Sequence, residues 1–453
     1  MTIESLYDIF KQYPHVTTDS RRIIERQRNP DIFGTERCLF FALRGDNFDG
    51  NTFAEKALAD GAAFAVIDDA AYQKSEKYLL VDDVLTTLQQ LARHHRRQFD
   101  LPVIAITGSN GKTTTKELVA AAMNAKYNTL FTQGNLNNHI GVPLTLLQLT
   151  AEHETAIIEM GANHQGEIHA LCTITEPTHG LITNIGKAHL EGFGGIEGVK
   201  KGKSEMYRWL AAHRGTIFLN EDEPFLAELV PAEARPIRYH RSKNPSPMTP
   251  SREDGTQAHY QARLESQDPF LTVSFLNEKG EILQATTHLV GEYNFNNVLT
   301  AIAVGKYFKV PAWKIRQAIV DYLPTMNRSQ ILTLDGGATL ILDAYNANPS
   351  SMRQALLNLS TMPQPRKVAI LGDMRELGDE SAAEHLAILT LAKSLHFNQL
   401  VTVGSEFGRQ NTEGVHFENT DAAKAWFKTQ TFDDTTCLLI KGSRGMKLET
   451  LLT

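Results

Sequence analysis

The chain has 453 residues and a formal net charge of −7. That length suggests roughly three domains, and the acidic balance argues against a general nucleic-acid surface. Cys38, Cys172 and Cys437 lie far apart with no CxxC pair, which argues against a thiolate metal site or a disulfide framework.

The opening MTIESLYDIF lacks the charged-then-apolar layout of a signal peptide. No run of about 18 apolar residues occurs, so no membrane span is expected. A soluble protein of a reducing cytoplasm is the expectation.

The first block, residues 1–98, alternates apolar runs with helical patterns. CLFFAL (38–43), AAFAVI (62–67) and KYLLV (77–81) read as strands, and Val84 to Gln98 as an amphipathic helix. Its basic run, Arg93-His94-His95-Arg96-Arg97, reads as a solvated helix end. Pro102 then makes a continuous helix improbable.

The second block, residues 99–323, opens with the apolar strand PVIAIT (102–107), a glycine turn and a helix. TAIIEM (155–160) and GLITNI (180–185) repeat the pattern of an apolar strand with a polar tip, the end where open α/β sheets carry ligands. Residues 242–256 read as a loop. LTVSF (271–275), a turn at Asn277 to Gly280 and a further strand predict a small antiparallel patch. The third block, residues 324–453, has strand patterns in TLILDAYNANP (339–349), KVAILGDM (367–374), QLVTVG (399–404) and CLLIKGS (437–443). The predicted fold class is α/β with three domains: a substrate-binding block, a central phosphate-loop sheet and a Rossmann-like C-terminal domain.

Chemistry concentrates at strand tips. Gly108, Ser109, Asn110, Gly111, Lys112, Thr113 and Thr114 lie between a strand and a helix. Glycines there let backbone N–H groups approach phosphates, and the helix N-terminus favours negative charge. Lys112 would reach the β- and γ-phosphates, and the Thr113 hydroxyl would ligate Mg²⁺. Ile106 stands where a longer loop would have its first glycine. Such a loop identifies a nucleotide and leaves the reaction open.

Glu159 closes its strand where a carboxylate can ligate Mg²⁺, and it also fits an ordinary strand-end glutamate. His189 suits a second metal or a structural role. Lys200 to Glu205 reads as the start of a helix, basic and solvated by default. Asn294 and Asn297 fall on one helical face and offer paired amides to a base edge, or one of them caps the helix. Asp343 suits ribose hydroxyls, although the Asn- and Pro-rich segment after it is also turn chemistry.

Taken together and in this order, TGSNGKTT, the Glu159 and His189 segments, GEYNFNN, the Asn327-Arg328 pair and DAYNANP resemble the Mur ligase family over nearly the whole chain. GNLNNHIGVP (134–143), EMGANHQGEI (159–168), AHLEGFG (188–194), TDSR (18–21) and FALRGDNFDG (41–50) look like the version found in the member that adds D-alanyl-D-alanine. No DNPR-like segment of the diaminopimelate-adding member is present.

The resemblance implies ATP-dependent ligation of D-Ala-D-Ala to UDP-MurNAc-tripeptide through an acyl phosphate, with ATP, two Mg²⁺ ions and a carbamylated Lys203. It implies Lys112, Lys203, Arg328 and His189 as catalytic residues, and Thr113, Glu159, His189 and Lys203 as metal ligands. Nucleotide contacts fall on residues 108–114, Asn294, Asn297, Arg328 and Asp343. Substrate contacts fall on Ser20, Arg21, Arg44, Asn135, Asn137, Asn138, Asn346, Asn348 and Lys441, the first three around the uridine nucleotide. A monomer that binds no nucleic acid is expected. Two departures stand out: Tyr293 replaces a frequent histidine, and Asn327 a frequent glycine. Another amino-acid-adding family member or a folylpolyglutamate synthase-like ligase is the alternative. A P-loop ATPase coupled to work or transport is a reading from another class, and it leaves residues 1–98 unexplained.

Overall fold

The computed structural model describes residues 1–28, 37–245, 259–324, 328–411 and 414–453. Three α/β units follow one another, each with its own sheet. In the first, the strands His15–Thr17, Cys38–Phe41, Phe64–Ile67 and Tyr78–Leu80 pair in parallel in that order. All four residues of Cys38–Phe41 are buried, as expected of a parallel strand covered on both faces.

Among the described residues the central sheet has nine strands. The phosphate-loop strand Val103–Thr107 is buried throughout and lies between Thr155–Glu159 and His179–Ile182, parallel to both. The three polar tips read from the sequence are therefore neighbours at the carboxyl ends of three adjacent strands. Thr272–Leu276 pairs antiparallel with both His259–Ser266 and Ile282–Thr286, which forms the expected patch. The helix Phe295–Tyr307 is apolar nearly all round because it is enclosed, and it packs on the phosphate-loop helix Lys112–Asn124.

In the third unit, Thr339–Asp343, Thr436–Lys441, Arg366–Gly372, Gln399–Val403 and Val415–Phe417 are parallel, with Gln330–Thr333 antiparallel at one edge. The core strands Arg366–Gly372 and Thr436–Lys441 supply its most buried residues.

The basic run departs from the expected solvated end. Arg93 and Arg97 pair with Glu176 at 2.7 and 2.6 Å. Arg96 is buried and donates to the Thr175 carbonyl at 3.1 Å. The cations thus sit at the carbonyl end of the helix Glu167–Thr175, where its dipole favours positive charge, and they fasten the helix Val84–Arg96 to the central unit. Cys38, Cys172 and Cys437 are buried in separate places. No helix among the described residues is long and apolar enough to cross a membrane. Of the predicted 242–256 loop, residues 246–256 lie outside the described residues, as does Asn327.

Candidate active site

The phosphate loop is shaped by contacts that leave no room for side chains at two positions. Gly108 has φ +144°, and a Cβ there would lie 2.0 Å from Thr183 Oγ1. Gly111 has φ +75°, with Asn297 Oδ1 2.7 Å from the corresponding point. Asn184 braces the loop: its carbonyl accepts from Ser109 N at 3.0 Å and its Oδ1 from Asn110 N at 2.9 Å. Lys112 donates back to the Gly108 and Ser109 carbonyls at 2.9 and 3.1 Å. Burial pushes its ammonium below the ordinary lysine value, partly offset by Glu159.

Beneath the loop lies an oxygen-rich cluster. Thr113 Oγ1 donates to the Glu159 carboxylate, 2.9 Å from Oε2, and Asn137 Nδ2 donates to Oε1 at 2.7 Å. Glu159 is 1% exposed. Lys116, one turn after Lys112, is equally buried and donates to the Thr132 carbonyl at 2.8 Å. These are hard oxygen donors of the kind Mg²⁺ selects.

Lys203 is also buried, 1% exposed, and donates to the Ala162 carbonyl at 3.2 Å. Burial, helped by the Lys112 cation, holds its pKa well below the usual lysine range. The solvated helix start that the local sequence suggests by default does not hold for Lys203: it ends the helix Ile196–Lys203, and a second helix, Glu205–Ala212, follows. Glu205 accepts from the Gly166 and His169 amides at 2.6 and 2.9 Å, at the start of the helix Glu167–Thr175.

The third unit supplies the opposite wall of a cavity of about 570 Å³. Asp343 pairs with the buried Lys441 at 2.6 Å, and Lys441 also donates to the Asn346 carbonyl. The Arg328 guanidinium lies 3.9 Å from the centre of the Tyr345 ring. Links cross to the central unit: Asn348 Nδ2 to Asn110 Oδ1 at 2.7 Å, Tyr293 to Ser329 at 2.8 Å, and His189 against Glu376. His189, Ser329 and Glu376 all have positive φ, each at a backbone cost on the order of 1 kcal/mol. The contact with His189 keeps the Glu376 carboxyl below its ordinary value.

Ser109 to Thr114, Asn135, Asn137, Asn138, Glu159, His189, Asn294, Asn297, Arg328, Asp343, Asn346, Asn348 and Lys441 therefore line one cavity. Gly108 and Lys203 are not among the residues that line it. Ser20, Arg21 and Arg44 do not line it: Arg21 pairs with Asp19, and Arg44 with Asp68 at 2.9 Å. Asn294 and Asn297 do not present two open amides, because Asn297 Nδ2 donates to Asn294 Oδ1 at 2.8 Å. Sequence reading passed over Lys116, Tyr345, Glu376 and Arg444. Of these, only Lys116 carried a signal, its one-turn spacing from Lys112.

The family model for the Mur ligase middle domain matches residues 106–305, that for the Mur ligase glutamate ligase domain residues 327–444, and that for the Mur ligase family catalytic domain residues 35–96. The UDP-N-acetylmuramoyl-tripeptide–D-alanyl-D-alanine ligase of Bacillus subtilis is 33% identical, covering 96% of this chain and 92% of its own. That of Escherichia coli is 34% identical with the same coverage. A crystal structure of MurF from Acinetobacter baumannii superposes with a TM-score of 0.81 at 30% identity, covering 96% and 92% of the two chains. The MurF ligase of Thermotoga maritima in complex with ADP has the same fold, with a TM-score of 0.80 at 22% identity over 97% and 96%. On this full-length agreement, the chain belongs to the Mur ligase family of ATP-dependent ligases.

Proposed function

We propose that the chain joins D-Ala-D-Ala to UDP-MurNAc-tripeptide at the expense of ATP, in peptidoglycan precursor synthesis. The tripeptide carboxylate attacks the γ-phosphorus, an O–P bond forms and ADP leaves. The dipeptide amine then attacks the acyl carbon, phosphate departs and the amine loses a proton. The observation that carries this reading is a cavity shared by the phosphate loop and the third unit, where a nucleotide and an acyl acceptor can meet.

In this reading Lys112 leaves its loop carbonyls for the β- and γ-phosphates, and the loop amides hold the phosphate oxygens. Arg328, braced on Tyr345, faces the charge of the transferring group. Asp343, oriented by Lys441, accepts from the ribose, and Asn294 and Asn297 lie toward the base. Asn135, Asn137, Asn138, Asn346 and Asn348 contact the peptide substrates, while Ser20, Arg21 and Arg44 hold the uridine nucleotide in the first block.

Thr113 and Glu159 would hold one Mg²⁺ ion, and His189 with a carbamylated Lys203 would hold a second. Bound there, the ions would neutralise phosphate charge. The neutral amine that burial favours at Lys203 is the form that captures CO₂. We divide the chain at 1–98, 99–323 and 324–453, and take it to act as a cytoplasmic monomer; its buried thiols fit a reducing compartment.

The test is phosphate release with ATP, UDP-MurNAc-tripeptide and D-Ala-D-Ala, omitting each in turn. All three should be required. Turnover without the UDP-peptide would overturn the reading, and preference for another acceptor would move the chain to a different branch of the family.

A further inference from the structure

Away from the cavity, Glu221, His240 and His259 gather where three strands of the central sheet lie side by side. Arg238 and His259 are register partners across the parallel strands Ile237–Arg241 and His259–Ser266. His240 is two residues beyond Arg238, so the period of two places all three on one face. Glu221 follows the strand Thr216–Asn220 directly, and its amide donates to the Tyr239 carbonyl, which fixes it beside them.

The carboxylate is divided between two tasks. Oε1 accepts from Arg238 at 2.7 Å. Oε2 is turned to both imidazoles, 3.3 Å from His240 Nδ1 and 3.6 Å from His259 Nδ1. The ligand atoms of the three residues lie within 4.8 Å of one another. Among the described residues, His240 Nδ1 is shielded from solvent and has no hydrogen-bond partner.

We propose that Glu221, His240 and His259 form a binding site for a divalent transition-metal ion of the zinc type, separate from the site that handles ATP. Bonds of about 2.0–2.1 Å in a tetrahedral Zn²⁺ site set neighbouring ligand atoms about 3.3 Å apart, and the two carboxylate–imidazole separations are close to that edge. Two imidazoles and one carboxylate select a borderline ion over Mg²⁺ or Ca²⁺. Arg238 holds the other carboxylate oxygen, as outer partners of metal ligands do. All three side chains are partly exposed, so an ion enters from solvent and water completes the coordination.

The test is equilibrium dialysis of the full chain, first stripped with chelator, against Zn²⁺ in excess Mg²⁺, with bound zinc measured by elemental analysis. His240→Gln and His259→Gln should each lose one bound equivalent relative to the parent chain. His189→Gln, altered in the cavity, should keep it. Zn²⁺ should raise the melting temperature of the parent, and that rise should vanish in His259→Gln while the metal-free melting temperatures agree, which separates lost binding from misfolding. Co²⁺ in place of Zn²⁺ should give visible absorption bands that disappear in the same two variants. Equal zinc stoichiometry and an equal rise in melting temperature in parent and both variants would overturn the proposal.

Discussion

The side chain of Asn348 donates a 2.7 Å hydrogen bond to Oδ1 of Asn110, so the third unit touches the phosphate loop through one pair of amides. Asn348 also accepts from Ser351 N at 2.9 Å as the cap of the helix Pro349–Thr361. Asn348→Asp keeps the cap acceptor and loses the donor to Asn110. One such bond is worth about 0.5–1.5 kcal/mol, so the KM for ATP should rise by up to about ten-fold, with only a small fall in melting temperature. An unchanged KM would show that the contact does nothing for nucleotide binding.

Gly108→Ala should disable the loop. The added methyl would meet Thr183 Oγ1, whose hydroxyl already donates to the Asn110 carbonyl at 2.6 Å. Strained backbone and overpacking together cost roughly 2–6 kcal/mol. Calorimetry should find ATP binding lost and UDP-substrate binding retained. Normal ATP affinity would count against the steric argument.

Lys203→Ala should lose most turnover while UDP-substrate binding persists, and small carboxylic acids should restore part of the rate by standing in for the proposed carbamate. Lys203→Met fills the same space without a buried amine, so its thermal stability should equal or exceed that of the parent. Near-normal turnover in either variant would remove Lys203 from the site.

His179 predicts part of the acid response. It is packed against Tyr307 and Phe308 with ring centres 5.6 and 5.0 Å away, and burial lowers its pKa to about 4. The folded state therefore holds it neutral while the unfolded chain takes up a proton below about pH 6.5. Stability from this group is complete above that pH and is lost as pH falls toward 4, by on the order of 3 kcal/mol. His179→Gln should flatten the decline in denaturant midpoint between pH 6.5 and 4, and an unchanged slope would refute the assignment.

Much of the fold was legible because local chemistry set it. The apolar runs at 38–43, 102–107 and 437–443 became buried parallel strands, since only enclosed strands carry unbroken apolar sequence. Glycine before Lys112 required a strand-to-helix turn with bare amides. Burial of charge was less legible. Arg96 read as part of a solvated helix end and is buried, because a carbonyl from a distant segment accepts from it. Lys203, which the local sequence left basic and solvated by default and only the resemblance assigned to the site, is buried as well. Asn294 and Asn297 read either as amides for a base edge or as a helix cap, and in the structure Asn297 Nδ2 donates to Asn294 Oδ1, since three residues along helical backbone bring the two side chains together.

The sequence by itself determined the three α/β blocks, the phosphate loop and the order of motifs that places the chain in its family, since these rest on periodicity and on residues adjacent along the chain. Only the tertiary structure decided that Asp343, Lys441 and Arg328 face Lys112 and Glu159 across one cavity, that Glu376 meets His189, and that Glu221, His240 and His259 converge. Those distances depend on strand order and on how the third unit docks, and neither is encoded in the spacing of residues along the chain.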